Sequence, residues 1–208
     1  MMLQTSTISE SLQPLPPAEH MFLVFDGACS KHGLRSWYEL GLDVCPLMVL
    51  KDGVYDGVSA LGPMIADLRA STALKALWEN NHPIMRRAAV YHTSYDETGL
   101  LDFLRARVQV IMPGELLAWL RLGDARVVSR LAEADGHFPP QFWSGVDSIF
   151  FQSETASITR YQPTRASEDN ASDERALFSQ KVVPHFHFGS DLLSALDSSN
   201  DLKHREVL

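Results

Sequence analysis

The stretch from Leu100 to Val128 leaves the chain little freedom in how it folds. Leu100, Leu101, Leu104 and Val108 share one face at helical spacing, and Ser94 and Glu97 can form a capping box. Arg105 and Arg107 suit the negative end of a helix that should stop near Arg107. Val108, Val110 and Met112 then alternate with Gln109 and Ile111 as far as Pro113-Gly114-Glu115. A second apolar run, Leu116 to Leu120, follows and ends at Arg121, so the spacing predicts a β-hairpin. Beyond it Asp124 is placed to cap a helix carrying Val127, Val128 and Leu131. Helix, hairpin and helix in so short a span read as a scaffold rather than a catalytic loop.

The rest of the chain extends this pattern. Residues 1–20 are rich in Ser, Thr, Gln and Pro and read as a flexible N-terminal arm. Phe22 to Phe25 predicts a buried strand, Leu34, Trp37, Tyr38 and Leu40 a helical turn, and Pro46 to Leu50 a short strand closed by Lys51-Asp52-Gly53. Leu74, Leu77 and Trp78 sit at helical spacing, Ala88 to His92 reads as a strand, and Ile158 to Gln162 is expected to pair with Ser148 to Gln152. Hairpin-linked and crossover-linked strands together favour an α/β fold: a mixed sheet with flanking helices, an N-terminal arm and a C-terminal extension. The domain is expected over 21–162, a polar linker over 163–176, and a docking segment over 177–208 that regains apolar residues.

Composition narrows the functions open to such a fold. With 208 residues and 45% hydrophobic content, one principal domain can build its own core. A formal net charge of −8 argues against phosphate backbones or anionic lipid as partners, so neither nucleic acid nor a membrane is expected. Cys29 and Cys45 are too few for a disulfide framework and are read as buried thiols in a reducing cytosol. Without a signal-like start or a long apolar run, a cytoplasmic protein is expected.

Several residues carry candidate chemistry. An apolar strand ending in Asp26-Gly27 looks like the first motif of haloacid-dehalogenase hydrolases, but Val24 stands where the nucleophilic carboxylate is needed. A turn-forming Asp26 is the favoured reading. Cys29, Lys31 and His32 lack the partners that a thiol enzyme or a zinc site requires. His185 and His187 would share one face of a strand, with Asp191 as a third ligand, yet the run is read as an aromatic anchor through Phe186 and Phe188. Arg121, Asp124 and Arg126 suit a helix cap with ion pairs. The four tryptophans, Trp37, Trp78, Trp119 and Trp143, are most economically core residues, although one or two could anchor an interface. No cofactor is implied.

Taken in order, these motifs resemble the effector adaptors, or effector chaperones, of bacterial type VI secretion. Met21-Phe-Leu-Val-Phe-Asp26-Gly27-Ala looks like that family's opening strand and turn, Pro46-Leu47 its central Pro-Leu, and Leu61-Gly62-Pro63 its Gly-Pro motif. The helix ending in Leu-Arg, the hairpin and the Arg121-x-x-Asp124-x-Arg126-Val run continue the likeness, and Phe142-Trp-Ser-Gly-Val146 takes the place of an aromatic-Gly-Pro segment. Gly123 replaces an aromatic, and Phe103 a His, relative to that pattern. The resemblance implies a non-enzymatic protein that binds a toxic effector and the C-terminal region of the VgrG spike. Phe186, Phe188, Leu192 and Leu193 are the expected partner-binding residues. A small hydrolase using Asp26 or Cys29/His32, and an immunity protein, are the alternatives.

Overall fold

The computed structural model describes residues 15–16, 18–29, 34–139, 141–152, 157–164 and 179–205, with side chains as far as Asp197 in the last helix. Most of the expected arm and linker, and Lys31 and His32, lie outside the described residues. The central strand, β1 (His20–Asp26), pairs antiparallel with β3 (Pro63–Asp67) on one side and β4 (Ala89–Thr93) on the other. The sheet is completed by β2 (Leu47–Met48), β7 (Val146–Gln152) and β8 (Ile158–Tyr161), in the order β2-β3-β1-β4-β7-β8. Every pairing in it is antiparallel.

Both faces of this sheet are covered, which is why Met21 to Val24 is apolar without alternation. Phe22, Val24, Tyr91, Ile149 and Phe151 point into one core with α3 (Glu97–Arg105) and α4 (Ala125–Glu133). Met21, Leu23, Val90 and Phe150 point into the other, with α1 (Leu34–Glu39) and α2 (Thr72–Glu79). The expected hairpin is present as β5 (Gln109–Met112) and β6 (Leu116–Trp119), turned by Gly114 and Glu115 with φ of 76° and 60°. It forms a second sheet with β9 (Phe186–His187), order β6-β5-β9, and β9 runs parallel to β5. This small sheet is the mixed one.

Some expectations need correction. Asp96, not Ser94, caps α3: its Oδ1 accepts from the Gly99 N–H at 2.8 Å. Only Leu47 and Met48 of the expected 46–50 strand are extended, because the chain turns right after them, closed by the Lys51 N–H donating to the Met48 carbonyl at 3.2 Å. Cys45 is exposed rather than buried. Trp37, Trp78 and Trp143 are core residues, but Trp119 is 47% exposed. Arg107 does meet the last turn of α3 as expected, but from inside the core. It is fully buried, donating Nη1–H to the Phe103 carbonyl at 2.8 Å and Nη2–H to that of Gln141 at 3.0 Å. Its guanidinium lies over the Phe103 ring at 3.8 Å and the Phe186 ring at 4.7 Å, and desolvation pulls its pKa down to about 9.

Candidate functional site

The motif residues converge where β1 ends. Gly27 donates its N–H to the Gly62 carbonyl at 3.0 Å, and Asp26 pairs in register with Pro63. A Cβ on Gly27 would stand 1.9 Å from the Ala60 carbonyl oxygen, so glycine is demanded there by close backbone approach, whereas one on Gly62 would press on the Leu50 side chain, 2.5 Å from its Cδ1. Pro46 directly precedes β2, where Leu47 pairs with Ile65 and packs on the core. Gly123 is fixed in the same way: an added Cβ would lie 2.5 Å from the Phe25 carbonyl carbon, which accounts for the absence of an aromatic there.

Asp26 is buried and accepts from Arg121 Nε at 3.1 Å and from the Ala28 N–H at 3.4 Å. Desolvation raises its pKa, and the Arg121 guanidinium pulls against that rise. Asp124 caps α4 through the Arg126 N–H at 3.1 Å and binds the Arg126 guanidinium at 3.0 and 2.6 Å. Burial opposes its charge, yet these donors hold its pKa below the ordinary carboxylate range. Arg121 also donates to Cys29 Sγ at 3.2 Å. Burial, with Asp124 close by, pushes the Cys29 thiol up to about 12, far from a reactive thiolate. Asp26, Arg121, Asp124 and Arg126 thus form one ion-pair network tying β1 to the start of α4; the cap-and-pair reading took in Arg121, Asp124 and Arg126, and the structure adds Asp26. Each carboxylate is engaged by a guanidinium in the way that organises structure.

Beside this network opens a cleft of about 720 Å³. Arg86, Arg87 and Arg126 line it together with the carboxylates of Asp26 and Glu39 and with Phe25, Trp37 and Ile84, and Arg126 is already bound by Asp124, so the cleft carries charges of both signs.

The expected partner-binding residues lie elsewhere. Phe186, Phe188 and Leu192 are buried in the core, and Leu193 packs against it from a half-buried position. Phe186 stacks edge-on to Phe142 and meets Arg107, while α5 (Ser190–Arg205) packs on α4. The C-terminal segment therefore docks on the domain itself. His187 faces outward between the two buried phenylalanines, and among the described residues no three His, Cys, Asp or Glu side chains come together as a metal site.

The sequence reading did not single out an apolar surface that the structure exposes on β6. Leu116, Leu117 and Trp119 are 67%, 59% and 47% exposed on β6, at the edge of the small sheet. Val54 and Val58 are exposed on the loop whose Tyr55 meets Trp119 edge-on, with ring centroids 4.8 Å apart. The only signal in the sequence was an apolar run with no polar alternation, which a buried strand shows equally. Among the described residues, no helix is long and apolar enough to cross a membrane.

Compared with known proteins, residues 21–136 match the family model described as a domain of unknown function, DUF4123. No curated protein and no solved structure matches the chain.

Proposed function

Because the chain belongs to the DUF4123 family, known for effector adaptors of type VI secretion, we propose that it binds a toxic effector and helps load it onto the VgrG spike. It acts in the cytoplasm before firing and by binding alone. The family match over the α/β body carries this reading.

The geometry supports it in two respects. The carboxylates and the thiol that a hydrolase would use are engaged by Arg121 and Arg126, with Cys29 pushed up to about 12. A loading adaptor also needs two surfaces of different chemistry, one for each partner. The β6 edge is apolar, whereas the cleft carries charged side chains of both signs. An interface of ordinary size buries about 800 Å² per partner, and a chain with 12038 Å² of accessible surface has room for two. Burial of an aggregation-prone effector segment on the apolar surface would keep the toxin soluble until the spike takes it.

The test is co-purification of the tagged full chain from secreting cells, read by mass spectrometry alongside effector delivery in a strain lacking it. Recovery of one toxin with VgrG, and loss of that toxin's delivery, is the expected result. Recovery of neither partner and undiminished delivery would refute the reading.

A further inference from the structure

β6 closes one side of its sheet and leaves the other open. The Leu120 N–H bonds the Val108 carbonyl at 2.9 Å, and the register continues as Val110 with Ala118 and Met112 with Leu116. Alternation along an antiparallel ladder therefore directs the N–H and C=O groups of Ala118 and Leu116 toward β5 and those of Leu117 and Trp119 away from it. Among the described residues no strand pairs with that outer edge. The side chains of these same two residues stand on the outward face of the sheet. Ile111 lies opposite Leu117, His187 lies beyond it on β9, and Tyr55 lies against Trp119. A row of free backbone groups bordered by an apolar platform has the form of a strand-addition site. Folded proteins ordinarily protect such an edge with Lys, Pro or a covering element, and β6, Leu-Leu-Ala-Trp, has neither Lys nor Pro.

Charge selects the occupant. Glu115 is exposed at one end of β6, and the adjoining loop exposes Asp52 and Asp56 against a single Lys51, which is paired with Asp56 at 3.1 Å. Three carboxylates against one ammonium leave the rim acidic. A second copy would bring an identical acidic rim to the contact on a chain of net charge −8. The chain's own residues 1–14 contain Glu10 and no Lys or Arg to answer that charge.

We propose that the outer edge of β6 receives an extended segment of the effector as an added strand, with apolar residues at alternate positions on the Leu117/Trp119 platform and Lys or Arg against Glu115, Asp52 and Asp56. This rests on the adaptor reading and names the surface through which it operates. Main-chain hydrogen bonds supply affinity, and the platform and rim supply selectivity.

Leu117→Pro tests it, because proline removes an N–H that points outward and leaves the β5 ladder whole. Binding of the toxin recovered by co-purification is measured on the purified full chain. Loss of an outward hydrogen bond and obstruction by the ring should weaken binding about ten-fold or more. Leu117→Ser, which keeps the N–H, should cost less than Leu117→Pro, and Glu115→Lys should weaken binding at low salt with the loss fading as salt rises. Amide exchange on the wild-type chain gives a readout independent of any variant's folding: Leu117 and Trp119 become protected when the toxin binds. A folded Leu117→Pro with unchanged affinity, or no protection at those amides, overturns the strand-addition proposal while the adaptor reading stands. Failure of the wild type to bind any toxin strikes the adaptor reading itself. Faster β6 exchange after removal of residues 1–14, or a dimer abolished by Leu117→Pro, assigns the edge to the arm or to a second copy and overturns the proposal.

Discussion

Replacing Arg121 by alanine isolates the energetics of the ion-pair network. Asp26 is 4% exposed, and its main charged partner is the Arg121 guanidinium at 3.1 Å, with the Ala28 N–H giving a longer bond at 3.4 Å. Removing one partner of a fully buried pair costs about 3–5 kcal/mol. The Arg121 side chain is 40% exposed, so water screens part of the interaction and a loss of about 1–3 kcal/mol is expected near neutral pH. For a chain of this length that corresponds to a fall in Tm of about 2–10 °C.

The pH dependence distinguishes charge from packing. Burial already raises the folded Asp26 pKa, with Arg121 working against that rise, and the substitution raises it further. A folded state with the higher pKa binds more protons than the unfolded chain. Stability attributable to Asp26 is therefore complete below the unfolded pKa and is lost as pH rises through the folded one. The deficit of Arg121→Ala should consequently shrink as pH falls from about 8 toward the ordinary carboxylate range, and Asp26→Asn in the same background should remove most of its pH dependence. Urea unfolding across that range measures both effects. A deficit that is flat with pH and indifferent to Asp26→Asn would show that Arg121 contributes packing alone, and the electrostatic reasoning would be refuted.

Three further outcomes follow from the same geometry. Phe186→Ala should cost about 3–5 kcal/mol in urea unfolding, since it opens the core and strips a ring from the buried Arg107; a loss under about 1 kcal/mol would mean that the C-terminal segment is not part of the folding unit. Gly27→Ala should abolish soluble folded protein, because its Cβ would lie 1.9 Å from the Ala60 carbonyl oxygen, whereas Gly57→Ala, with nothing within 4 Å, should leave the Tm nearly unchanged. Iodoacetamide near pH 8 should label exposed Cys45 readily and Cys29, pushed up to about 12, only after unfolding; equal labelling of the native protein, read by mass spectrometry, would contradict the placement of Cys29.

Local chemistry explains which elements could be foreseen. The β5–β6 hairpin follows from Pro113-Gly114-Glu115 between apolar runs, the α4 cap from Asp124 ahead of a helical stripe, and the β7–β8 pairing from adjacent strand-forming segments. Each depends on residues near one another in sequence, where spacing and side-chain type suffice. The cap of α3 went to Asp96 instead of Ser94 because Asp and Ser are equally good N-caps, and only the backbone path selects between them.

Contacts between distant segments were beyond that reach. Asp26 and Arg121 are 95 positions apart, and their pairing exists because the end of β1 abuts the start of α4. Gly123 is required by the backbone of Phe25, and Phe186 by an Arg107 that looks in sequence like an ordinary helix-end cation. Two apolar segments were available to face a partner, and their patterns did not distinguish them. The sequence by itself determined the hairpin, the strands at β1, β4, β7 and β8, and the helix capped by Asp124. Only the tertiary structure decided that Phe186, Phe188 and Leu192 close the core while Leu116, Leu117 and Trp119 remain on an open edge. Burial of an apolar side chain depends on which neighbours the whole fold brings to it, and β9 covers the inner flank of β5 while no described strand covers the outer flank of β6.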